Sequence, residues 1–180
     1  MQSGEPGLAM TSEQRQRSLL RFLNVVGPVH DELTLYALAF LAQRLGLLDT
    51  TYDFDFSMNV PLSGTLGNDL YHLLSQGHLA DSGKPGTISV TELGARYVSH
   101  DMAEVQPDAA RRARTLAGLE PGVILALPHV VSIADTTIGY EKAEELERIL
   151  IERHMVYREC AKAAIDVWFS GGISDSRQGA

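Results

Sequence analysis

The chain has 180 residues, 44% hydrophobic and 21% charged, with a formal net charge of −8 and a single cysteine. That length can bury a real core without covalent staples, and the lone Cys160 excludes an intramolecular disulfide or a cysteine-based metal cluster. The acidity disfavours non-specific attraction to nucleic acid or anionic membrane, no apolar run approaches a membrane span, and the polar opening 1–5 does not read as a secretory leader, so a cytoplasmic location is expected.

Residues 1–11, with Gly4, Pro6 and Gly7, are expected to be disordered, as is the small, polar tail 171–180. A first helix is predicted from Thr11 or Ser12, turning Leu19, Leu20 and Leu23 to the core until Gly27-Pro28 stops it. A second opens at Asp31. Over 33–48 nearly every face is apolar, with Leu35, Leu38, Ala39, Ala42 and Leu45 on one side and Phe40 and Leu41 on another, so this helix should be central. After Leu48 the period changes to two: Tyr52, Phe54 and Phe56 point one way and Asp53 and Asp55 the other, as in a short half-buried strand or extended segment.

The loop 60–64 leads into a helix over about 65–76, with Leu66, Leu70, Leu73 and Leu74 spaced for one apolar face. Gly77 ends it, and 78–81, 82–86 and 87–90 read as strand, turn and strand. Thr91 is placed to cap a short helix over 92–98. The remaining third reads as helical: one helix from Pro107, an apolar one over about 122–134 that Pro128 is expected to bend or break, an acidic one over 140–151, and a last one to Phe169. In that last helix Val156, Cys160, Ala163, Ala164 and Val167 keep one face, with Trp168 beside it. These small and apolar residues suit close packing on another helix, of this chain or of a second copy, which makes the face a candidate homodimer interface.

The fold class expected is mainly α with a small β component: a winged helix-turn-helix over 12–101 followed by a C-terminal helical extension over 102–170 that could serve oligomerisation. The succession Tyr52-Asp53-Phe54, a proline-containing loop, the segment 70–79 and Ser89-Val90-Thr91-Glu92-Leu93-Gly94 resembles the bacterial and archaeal YwgA-like winged-helix proteins, and more distantly the winged-helix antitoxin-type regulators. The likeness covers roughly 19–134, where Ile124-Leu125-Ala126-Leu127-Pro128-His129-Val130 resembles the apolar helix after the wing. It implies a fold and a regulatory or DNA-associated role rather than a reaction.

In a helix-turn-helix docking the exposed side of helix 65–76 would face the major groove, and it offers Asn68, Tyr71, His72, Ser75 and Gln76, of which Asn68 and Gln76 suit adenine edges. The cations that DNA requires are scarce. Between Asp49 and Asp101 two basic residues, Lys84 and Arg96, face seven acidic ones, a local net of −5, and the nearest basic cluster is Arg111, Arg112 and Arg114. Those arginines are expected to face solvent or to pair with acids over 141–147, with phosphate contact as the lesser alternative. Asp53 and Asp55 read as a solvated face.

No catalytic constellation emerges. His154 lies seven residues after Glu147, on its helical face, where a surface ion pair is expected; a zinc-protease helix needs two histidines four apart. His129 reads as a satisfied core histidine and Cys160 as structural. No metal or cofactor is expected. The sequence therefore favours a non-catalytic regulatory or adaptor protein that contacts a protein partner or itself, and a DNA-binding transcriptional regulator is the alternative.

Overall fold

In a computed structural model the described residues are 10–56, 59–82, 86–134, 142–154 and 156–170. The first helix, α1 (Ser12–Val26), begins with a reciprocal cap: the Thr11 hydroxyl accepts from the Gln14 main chain, and the Gln14 side chain accepts from the Thr11 N–H. It ends at Gly27, whose φ of 82° is a left-handed geometry that a residue with a side chain resists. Helix α2 (Glu32–Arg44) is capped by Asp31, and every residue from Thr34 to Ala42 is buried, as expected for a central helix. Between them the Val29 main chain exchanges both hydrogen bonds with Ile88, at 2.9 and 2.8 Å.

After α2 the chain runs extended. The Gln43 side chain holds both main-chain groups of Tyr52, at 2.7 and 3.0 Å, and Phe40 takes the rings of Phe54 and Phe56 edge-on at 5.4 and 5.2 Å. The predicted alternation holds, with Asp53 and Asp55 exposed, and a single bridge pairs Asp55 with Leu62. Helix α3 (Gly64–Ser75) follows, capped by Ser63. Strands β1 (Leu79–Asp81) and β2 (Ile88–Val90) then pair antiparallel, Leu79 opposite Val90, so β2 lies between β1 and Val29.

Helix α4 (Glu92–Tyr97) is capped by Thr91, and a 3-10 turn (Asp101–Glu104) leads to α5 (Pro107–Ala117), which opens on the predicted proline. Helix α6 (Pro121–Ala134) runs unbroken through Pro128, so of the expected bend or break the break does not occur. A mid-helix proline costs about 3 kcal/mol. Here α6 packs on α2 and α8 with Val123, Ile124, Ala126, Leu127, Val130 and Val131 all buried, and that packing offsets the lost hydrogen bond. Helices α7 (Ala143–His154) and α8 (Arg158–Phe169) complete the chain; they pack on each other and on α6.

The protein is thus mainly helical with one small antiparallel sheet. One cluster of buried apolar side chains runs from Leu19 to Ile165, so the C-terminal helices share a core with the N-terminal ones. Among the described residues no single helix is long and apolar enough to cross a membrane.

Candidate functional site

The leucines of α3 divide its surface. Leu66, Leu70 and Leu73 are buried together with Asp69, which turns Asn68, Tyr71, His72, Ser75 and Gln76 outward, all exposed as predicted. Leu74 does not join the buried face: it is 41% exposed, next to Tyr71 at 70%. At about 100° per residue Leu74 falls at the margin of the stripe that Leu66, Leu70 and Leu73 centre, so it sits at the seam. The Leu93 side chain, 53% exposed, approaches Gly77 at the end of α3 and widens this surface. Tyr71 and His72 meet with ring centroids at 5.9 Å, and the Ser75 hydroxyl donates to the His72 carbonyl at 2.8 Å. The described part of α3 carries no lysine or arginine.

Behind that face Asp69, 1% exposed, anchors a polar cluster. Its carboxylate accepts from Arg15 at 2.9 Å, from the Ser12 hydroxyl at 2.9 Å, from Gln16 at 3.2 Å and from the Tyr52 phenol at 3.2 Å. Burial and then the neighbouring Asp69 charge push the Tyr52 phenol far above its ordinary pKa, so it stays a protonated donor. Sequence reading missed this cluster because Arg15 and Asp69 lie 54 positions apart. It also changes the charge count, since Asp69 is neutralised inside the protein. Asp101 is likewise answered by Arg17 at 3.0 Å, and Glu92 pairs with Arg96. Arg17 lies over the Tyr97 ring at 4.9 Å. Arg15 and Arg17 are thus taken up in holding α1 to its neighbours, and Arg96 pairs within its own helix.

The arginine cluster of α5 finds a nearer acid than the 141–147 segment. Arg111 and Arg112 both pair with Asp108 in the first turn of their own helix, and Arg111 holds the Asp108 carboxyl below its usual pKa. Arg112 is only 14% exposed at its side chain, whereas Arg114 is open to solvent. Helix α5 packs on α1 and α2, while α3 packs on α1 and β1. Lys84, the expected wing cation, lies outside the described residues.

The face of α8 is largely occupied within the chain. Ala164 is fully buried with Ala161 and Ile165, and Val156, Ala163, Val167 and Trp168 are half-buried against the same core. Cys160 fits against Gly122 of α6, where an added Cβ would lie 2.6 Å from its sulfur. Small residues at 122, 160, 161 and 164 let α6 and α8 approach closely, so the partner helix anticipated for this face is supplied by the chain itself.

His129 is the satisfied core histidine anticipated: 3% exposed, with Nε2 at 2.8 Å from the Asn59 carbonyl oxygen. His154 differs from expectation. It stacks on His129 with ring centroids 4.2 Å apart, and its Nδ1 is buried without a partner, while Glu147 pairs with Arg158 at 3.5 Å. Burial, and then the proximity of His154, lowers the His129 pKa; burial, and then Arg153, lowers that of His154. Among the described residues no group of three or more His, Cys, Asp or Glu is arranged to hold a metal ion. Against known protein families, curated proteins and solved structures, the chain finds no match.

Proposed function

We propose that residues 12–101 are a winged helix, joined to the helical extension 102–170, and that the chain is a non-catalytic regulatory or adaptor protein acting by contact with another polypeptide. The order helix, single-residue bridge at Val29, helix, helix, strand and strand, with β2 between β1 and Val29, supports the architecture. One observation carries the role: the helix a winged helix would present, α3, exposes Tyr71 and Leu74 beside Leu93 without a described cation, and the arginines behind it are ion-paired. An aromatic and apolar surface with a rim of Asn68, His72 and Gln76 suits protein far better than phosphate.

Duplex DNA is the second reading, favoured by the outward Asn68 and Gln76 and by the solvent-facing Arg114. A gel-shift series with mixed duplex DNA at low and moderate salt separates the two. The adaptor reading expects no complex at either salt. A complex that weakens as salt rises and is lost in the Arg111→Ala/Arg114→Ala variant would establish phosphate contact and overturn it.

A further inference from the structure

A cleft of about 290 Å³ opens where α1 meets the turn after α2 and the start of α5. Its apolar lining includes Phe22, Val25, Leu47 and Ala113, with Phe22 and Ala113 themselves buried. Its polar lining is Ser18, Arg21, Asp49, Glu104 and Gln106. Ser18 in that lining is itself 3% exposed. Arg21 is 23% exposed and among the described residues has one ionic contact, to Glu104 at 3.9 Å, too long for a hydrogen bond and made to a carboxylate that is itself 79% exposed. The guanidinium fork is therefore unfilled at the edge of an apolar hollow.

The charges select the occupant. A plain carboxylate would suit Arg21 but meet Asp49 and Glu104, and a plain amine would suit the two acids but meet Arg21. A head group carrying both signs satisfies the whole rim, and the apolar wall wants a short hydrocarbon or aromatic body. The volume lies just under the roughly 300 Å³ at which small-molecule pockets begin, which limits the body to one side chain.

We propose that this cleft binds a free apolar α-amino acid, its carboxylate on Arg21, its ammonium toward Asp49 and Glu104, and its side chain against Phe22, Val25, Leu47 and Ala113. The site is independent of how the α3 surface is used. Because it touches α1, the turn after α2 and α5 at once, an occupant ties the N-terminal helices to the extension.

Calorimetric titration of the full chain with L-leucine and with L-phenylalanine tests it, with 4-methylpentanoate and 3-methylbutylamine as analogues that each lack one charge. Saturable binding of at least one amino acid in the millimolar range or tighter is expected, with both analogues weaker by about tenfold or more, the share of a charge-assisted hydrogen bond. Arg21→Gln should weaken the amino acid about as much. Ala109→Leu, which projects a larger side chain into the cleft from its wall, should abolish binding, and it serves if the Arg21 variant fails to fold. No saturable binding of either amino acid, binding unchanged in both variants, or an analogue as tight as its amino acid would overturn the proposal.

Discussion

Acidification should loosen this protein through its two stacked imidazoles, His129 and His154. Both are held below the ordinary histidine pKa of 6.5, chiefly by burial, so the folded chain resists protons that the unfolded chain accepts. Stability from this pair is then complete above pH 6.5 and is lost as the pH falls from 6.5 toward the depressed folded-state values. One imidazole that stays neutral in the fold contributes at most about 1.4 kcal/mol per pH unit in that window. The full slope is reached only once the unfolded imidazole is mostly protonated, so over the first unit below 6.5 the buried His129 contributes at most about 1 kcal/mol and the more accessible His154 only a fraction of that after solvent screening. Urea unfolding of wild type and of His129→Gln/His154→Phe, at pH about 7.5 and one to two units lower, reads the effect directly. The glutamine amide can still donate to the Asn59 carbonyl, and the phenylalanine fills the space of the His154 ring while removing a buried, unpartnered nitrogen. The variant should lose markedly less stability on acidification. Equal losses in the two proteins would refute the reasoning, because the slope would then come from other groups.

Two further predictions probe what positions α3 and the sheet. A Cβ on residue 94 would collide with the His78 carbonyl oxygen, a backbone atom that cannot rotate away, so Gly94→Ala should cost about 1–3 kcal/mol in urea unfolding; an unchanged midpoint would mean that α4 can move off β1 freely. Asp69→Asn leaves Arg15 without its buried counter-charge and should cost about 3 kcal/mol, with a double-mutant cycle against Arg15→Gln returning a coupling of at least about 1 kcal/mol; strict additivity would show that the pair does not act as one.

What the sequence reveals here is local. Thr91 caps the helix it was expected to cap, Thr11 proves to be the cap of the two candidates Thr11 and Ser12, and Asp31, where the second helix was expected to open, caps it, because a cap bonds to a main-chain group three residues on. The antiparallel pair after α3 and the alternation of Tyr52, Phe54 and Phe56 are likewise set by near neighbours. Long-range packing decides the rest. Pro128 breaks helices in isolation, yet α2 and α8 press α6 from two sides. The α8 face had two candidate coverings, and only the fold shows that α6 and α7 provide one. His129 and His154 sit 25 positions apart on different helices, and no spacing rule announces that their rings stack. Of the α3 surface, the polar residues were legible from periodicity, but the contribution of Leu74 and Leu93 was not.

Asp69 links the architecture to the proposed role. A ridge of leucines is non-directional and would let α3 rotate or slide by a residue at small cost, whereas a carboxylate that accepts from Ser12, Arg15, Gln16 and Tyr52 has one geometry in which all of its donors are met. Those donors come from the first turns of α1 and from the extended segment before α3, so the cluster fixes the rotation of α3 against both. That rotation is what brings Tyr71 and Leu74 outward. The same contact takes up Arg15, so the group that orients the presented helix also withdraws a neighbouring cation from solvent, and the surface left exposed is aromatic and nearly uncharged.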